Sequence, residues 1–408
     1  FSLGWTITEE DFLNDINGID FIKIRGGWGQ LGNSRVPRNE FNFNTSDGSS
    51  NVNYVFGQNQ DLNFGAALGA PVFPISWEVT TETNLGLDFR LFDSHLAGSF
   101  DVYDRSTEAI LNVQPLLNSP ADANFFDNGA DITNEGFEIN MSWRDNITKD
   151  LSYNIGVVYS YNNNTVENVV PAYDGQVGGS LNNGQITKRL QEGQPLYAWW
   201  MFEAGGVWQT QEEIDNNPSF GSPQPGQLRY VDQNGDGVID DRDKKFFDSY
   251  LPTYNIGINL GLNYKNLDFS VDAFGAGGNK VYNGLKGTRI NGGESIAADV
   301  FETRWTGPGS TNTDPGANRT SIASSYYLED GDYLRINNMT LGYTFRNIVE
   351  EIPMLRIYAS AQNPFLFTDY SGFTPEILNT GNPEETAGID LSAYPNTRTF
   401  LFGVNVQF

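Results

Sequence analysis

The stretch whose residue types most resemble a binding site is Asp232-Gln233-Asn234-Gly235-Asp236-Gly237-Val238-Ile239-Asp240-Asp241-Arg242-Asp243. Oxygen side chains fall at positions 1, 3, 5, 9 and 12 of this loop, glycine at 6 and a free carbonyl at 7. Ca²⁺ is a hard cation that takes about six to eight oxygens, and one tight loop can supply them. The expected ligands are Asp232, Asn234, Asp236, the Val238 carbonyl, Asp240 and Asp243. Asp243 stands where a helical calcium hand carries Glu, and its shorter arm has less reach for two-oxygen contact. The flanks do not read as paired helices, so the role expected of the ion is structural. A turn rich in Asp, Asn and Gly is the plainer alternative.

Leu196–Gln209 is dense in aromatics, with Tyr197, Trp199, Trp200 and Trp208. Such a cluster is either a platform for a sugar or peptide, with Tyr197, Trp199 and Trp200 as the contacts, or simple loop packing. The acid pairs Glu212-Glu213, Glu350-Glu351 and Glu384-Glu385 sit in expected turns. Catalytic carboxylates come from separate strands at defined spacing, so these read as solvated charge. His95, the one histidine, falls in a short turn where no triad can form around it. Gly275–Lys280 is glycine-rich but lacks the spacing and following helix of a phosphate loop. None of this reads as an enzyme.

The elements that must position these residues are strands. Phe400, Phe402, Val404, Val406 and Phe408 hold alternate positions at the end of the chain, so one strand face is wholly apolar. Similar alternation recurs at 85–91, 96–102, 137–143, 151–161, 267–273, 339–345 and, most regularly, Tyr254–Tyr264. Aromatics bracket aliphatics on these faces. Ten residues at ~3.3 Å, tilted ~40°, rise ~25 Å, about the apolar band of an outer-membrane barrel with its aromatic girdles. Connections alternate short (92–95, 145–150, 265–266, 346–353) and long (107–135, 162–253, 276–334, 364–398). Counting back from Phe408, every short turn falls on the inner side and every long loop on the outer side. About eleven strands result, or thirteen if Leu196–Gln209 crosses down and back. A bulge is expected near Asn337-Asn338.

Totals narrow the alternatives. The 24 Lys and Arg against 51 Asp and Glu leave a formal charge of −27, which argues against nucleic acid as a partner. Without cysteine there is no disulfide framework or thiolate site. No window approaches the ~18 apolar residues of a spanning helix, a limit that does not touch barrels. The chain opens at Phe1 inside a strand, so it reads as a piece of a longer polypeptide.

Asp232–Asp243 followed by Leu251-Pro252-Thr253-Tyr254-Asn255-Ile256-Gly257 resembles SusC-type TonB-dependent transporters of Bacteroidota outer membranes. Agreement continues at Trp28–Asn33, Asn134–Ile139, Tyr333–Tyr343, Ala359–Asn363 and Tyr394–Phe400. The resemblance implies a transmembrane antiparallel barrel of about 22 strands, with residues 1–408 as its C-terminal portion and 232–243 in an outer loop. It implies outer-membrane lipids around the wall, a SusD-like surface lipoprotein as a hinged lid, and import of glycan or peptide oligomers. TonB would act through an N-terminal remainder that carries the plug and the first strands. Phe400, Phe402, Val404, Val406 and Phe408 would be the barrel-assembly signal, and lumen-facing Asp88, Arg90 and Arg144 would meet substrate. The alternative is a secreted, calcium-binding, β-rich adhesin or lectin.

Overall fold

The computed structural model describes residues 1–13, 16–34, 75–115, 124–170, 185–288, 298–316, 322–349, 352–377, 386–391 and 393–407, with short pieces at 45–47, 54–56, 58, 61–63, 66–68, 175, 177–179 and 181. Its main sheet has eleven strands. They are β1 (Ser2–Thr6), β2 (Ile19–Asn33), β3 (Glu78–Leu91), β4 (Leu96–Pro115), β5 (Asn124–Thr148) and β6 (Leu151–Val169). The rest are β7 (Tyr254–Tyr264), β8 (Leu267–Gly277), β9 (Tyr333–Val349), β10 (Ile352–Thr368) and β11 (Thr399–Gln407). Each pairs antiparallel with its neighbour in sequence, so the wall is a plain meander.

Register turns the alternation into two faces. Ile19, Leu91, Leu96, Trp143, Ile155, Leu260, Val271, Met339, Ala361 and Phe400 are successive cross-strand neighbours, an apolar row ten strands wide. One residue along, Arg144, Asn154, Gly261, Ser270, Thr340 and Ser360 form a polar row on the opposite face. The apolar face is open, with Phe400 67% and Phe402 86% exposed, as lipid contact requires. Facing rings extend that belt: Phe100, Phe137, Tyr159 and Tyr254 follow one another at 5.8–6.2 Å between centroids. The polar face carries ion pairs across strands. Arg25 donates to Asp101 at 2.6 Å and to Asp88 at 3.2 Å, and Arg356 to Asp268 at 2.5 Å.

The expected bulge is present: both pairings of β9 shift register around Asn337. Strand lengths depart from expectation. β4 and β5 have 20 and 25 residues and keep pairing from Thr107↔Ile132 to Pro115↔Asn124, where a loop over 107–135 was expected. β6 likewise runs on to Val169, and β10 to Thr368. A 25-residue strand rises ~60 Å at a tilt of ~40°, so this hairpin stands well above a ~25 Å belt. Out there neither face meets lipid, and apolar alternation no longer marks the strand. Nor does Leu196–Gln209 cross the membrane. It forms Ala198–Phe202 and Ala204–Val207, which pair with other loop strands and leave eleven strands in the wall.

Candidate functional site

The long connections gather at the outer end of the wall into a cap with a core of its own. Lys188-Arg189, Ala198–Phe202 and Lys244–Phe246 lie side by side in a small antiparallel sheet. Alternation sends Trp199 and Met201 of the middle strand into one core, with Leu190, Tyr250, Tyr282, Tyr327 and Ile389. Phe202 enters a second, with Val207, Leu228, Tyr230 and Ile239. The upper parts of β5 and β6 floor the first core through Ile132, Val166 and Val169. This is why those strands outrun the membrane belt.

Residues from three loops lock together here. Ile389-Asp390 pairs parallel with Tyr282-Asn283, and the Tyr370 hydroxyl donates to Asp390 at 2.7 Å. Gly388 has φ +75°, and a Cβ there would meet Tyr250 and Trp199. Lys188 is fully buried, its Nζ donating to the Ala387 carbonyl at 2.5 Å and lying 4.1 Å from the Tyr250 ring centroid. Desolvation pulls its pKa down to about 7.

The three aromatic contacts expected for substrate divide. Tyr197 and Trp199 are buried in the cap core, and the Trp199 indole donates to the Lys280 carbonyl at 3.1 Å. Trp200 is half-buried on the other side of its strand, with Arg189 Cζ 4.9 Å and Lys244 Nζ 4.6 Å from its ring centroid. Cations therefore lie where a sugar ring would stack. On the wall, Asp88 is paired to Arg25, Arg90 covers the Phe21 ring, and Arg144 is exposed.

Asp232–Asp243 forms a tight loop on the cap, beside the strand Leu228–Tyr230. Asp232 accepts from the amides of Gly235 and Gly237, both with left-handed φ (73° and 82°). Asn234 and Asp236 each accept from the amide two residues on. Asp243 is buried and accepts from the amides of Gln233 and Asp240. The Arg242 guanidinium bridges Asp236 at 2.9 Å and Asp240 at 2.8 Å, and its hydrogen bonds hold the Asp240 carboxyl below the usual range. Among the described residues no three His, Cys, Asp or Glu side chains converge as an ion would draw them. The donors suit Ca²⁺ in kind and number. Their present partners are backbone amides and Arg242, a residue that spacing alone did not single out. A base inside the loop, two positions past one ligand, was the available signal.

Elsewhere the acids have structural work. Glu213 accepts from the Gln209 amide at 2.8 Å and pairs Arg229 at 3.3 Å at the start of helix Gln211–Asp215. His95 lies 3.3 Å from Asp145 in its short turn. Glu350-Glu351, Glu384-Glu385 and Phe408 lie outside the described residues. Phe400, Phe402, Val404 and Val406 line the exposed apolar edge of β11.

Comparison with known proteins agrees with this architecture. No family model matches the chain. It is 29% identical over its whole length to TonB-dependent receptor P3 of Formosa agariphila and 28% identical to TonB-dependent receptor SusC of Bacteroides thetaiotaomicron. It spans 41% and 39% of these relatives, their C-terminal part. Among solved structures, the RagAB peptide transporter superposes on all of the chain with a TM-score of 0.78 at 20% identity, over 43% of that protein. The RagAB peptide importer in its "closed-closed" state gives 0.77. The eleven-stranded wall thus has the fold of the matching segment of these barrel transporters, and its place is the outer membrane.

Proposed function

We propose that this SusC-like chain is the C-terminal wall and loop cap of a TonB-dependent importer that carries nutrient oligomers, glycans or peptides, across the outer membrane. One observation carries the reading: an apolar row ten strands wide faces outward while ion pairs face inward, in a chain SusC-like from end to end. A water-soluble adhesin would turn its apolar row inward, and this wall exposes it. A SusD-like lipoprotein closes over the cap as a lid, and TonB acts through the N-terminal remainder. Passage is gated and needs no covalent chemistry from the chain.

Ca²⁺ serves as a structural ion in Asp232–Asp243, held by Asp232, Asn234, Asp236, the Val238 carbonyl, Asp240 and Asp243. A bound ion cross-links both ends of the loop and stiffens the cap near β7. Phe400, Phe402, Val404, Val406 and Phe408 act as the strand that the assembly machinery recognises. Whole-cell uptake tests the import reading. Cells making the full-length protein should accumulate fluorescent oligomers from a mixed glycan and peptide pool and lose that uptake when the proton gradient is collapsed. A protein that leaves the cells without detergent overturns it. Stoichiometric co-purification of a surface lipoprotein tests the lid.

A further inference from the structure

Gly86, Gly156 and Gly342 are buried, although the wall that carries them is a single sheet. Side chains of neighbouring strands cover them on the inner face. Arg25, Gly86 and Asp101 stand opposite one another on β2, β3 and β4, and the guanidinium crosses β3 to reach Asp101 at 2.6 Å. A Cβ at Gly86 would lie 2.6 Å from both Arg25 Cζ and Asp101 Oδ1. The device recurs across β8, β9 and β10. Arg356 reaches over β9 to Asp268 at 3.0 Å, and a Cβ at Gly342 would lie 2.5 Å from Arg356 Nη2 and 2.6 Å from Asp268 Oδ2. Between these sites the Asn259 amide lies over Gly156, and Asn154 over Gly261, each pair directly opposite across β6 and β7. None of the four glycines has a left-handed φ, so space and not backbone conformation calls for glycine. By contrast Arg105 and Glu82 are direct neighbours with no strand to cross, and their side chains stay 50% and 40% exposed.

We propose that Gly86, Gly156, Gly261 and Gly342 are positioning residues that set the clearance of the passage, by letting polar arms lie flat and paired along the inner wall. This rests on the import reading above. The atoms that a methyl group would strike are the free ends of flexible side chains, so substitution moves the arm and leaves the strand in place. An arginine lifted off the wall loses its carboxylate and stands in the lumen as an unpaired charge. An oligomer moving along that wall then meets a narrower way and a site that holds it, whereas passage needs contacts weak enough to release.

The test uses the full-length protein. Phenylglyoxal, which modifies accessible guanidiniums, is applied in detergent and read at each arginine by mass spectrometry. Arg25 should react several-fold faster in G86A than in the parent while Arg356 is unchanged, and G342A should show the converse. In cells, energy-dependent uptake from a mixed pool of fluorescent glycans and peptides should fall several-fold in G86A, most for the longest oligomers. R25S/G86A, which removes the displaced arm, should restore it. Should G86A fail to assemble as a heat-modifiable barrel, G342A and R356S/G342A carry the same test at an independent place on the wall. Unchanged arginine reactivity overturns the role of the glycines. Faster reactivity with undiminished uptake, or a loss of uptake that removing the arginine does not restore, overturns the clearance role. If the reactivities shift as expected but the parent itself shows no energy-dependent uptake, it is the import reading that falls, and the clearance role with it.

Discussion

The wall and the cap are built from the same apolar residue types and use them in opposite senses. In the wall Phe402 is 86% exposed and Val404 59%, while in the cap Trp199 and Met201 are not exposed at all. Hydrophobic burial drives a structure only where the alternative is water. In lipid the wall gains little by packing side chain on side chain, and its cohesion comes from an unbroken ladder of backbone hydrogen bonds with ion pairs on the inner face. The cap stands in water and holds together as an ordinary protein core does. One chain thus folds by two rules, and the boundary runs across β5 and β6, whose lower halves face lipid and whose upper halves floor the cap.

Substitutions can set the two rules against each other. The largest effect is expected from Trp199→Ala, which removes the centre of the cap core and should cost ~3–5 kcal/mol of cap stability. Amide exchange should accelerate over 185–253 and 386–391 while β7 and β8 stay protected. Equal acceleration in both regions would mean that wall and cap unfold together. Leu260→Arg puts a charge in the middle of the outer apolar row and should cost ~2–4 kcal/mol of barrel stability on refolding into vesicles. Its neighbour Asn259→Arg, on the inner face, should refold nearly as the parent does.

Lys188 provides a pH probe confined to the cap. Its folded pKa of about 7 lies below the ordinary lysine value of 10.5, so the unfolded cap binds more protons between those limits. Cap stability should therefore climb as pH rises from 7 toward 10.5, by at most ~1.4 kcal/mol per pH unit, and level off below 7. Lys188→Met should remove the slope in cap exchange rates, and the wall should show none in either protein. The smallest effect concerns the loop at Asp232–Asp243. Arg242→Gln frees Asp236 and Asp240 from their bridge and should tighten Ca²⁺ binding a few-fold in calorimetry. An unchanged or weaker affinity would mean that the arginine does not compete with the ion.

Legibility followed the same boundary. Inside the belt, lipid on one side and the lumen on the other force a period of two, so β7, β8 and β11 could be placed from residues such as Tyr254, Ile256 and Phe400. Above the belt that force is gone. Thr107–Pro115 and Asn124–Glu135 pair as strands through backbone hydrogen bonds that no side-chain pattern announces. The cap's small sheet escaped for a different reason: Ala198–Phe202 is apolar on both sides because it lies between two cores, and local sequence cannot separate that from a membrane crossing.

The sequence by itself determined the lipid-facing rows and the oxygen-rich loop, since each depends on neighbours two to twelve residues apart, and the parity of short turns and long loops, which needs only the order of the strands along the chain. Tertiary structure alone decided that Trp199 and Tyr197 are core rather than platform and that Arg189 and Lys244 flank Trp200. It also decided that Ile389 closes a core begun at Ile132. Those contacts join segments tens to hundreds of residues apart, and which segments meet is set only once the strands have brought the loop ends to one rim.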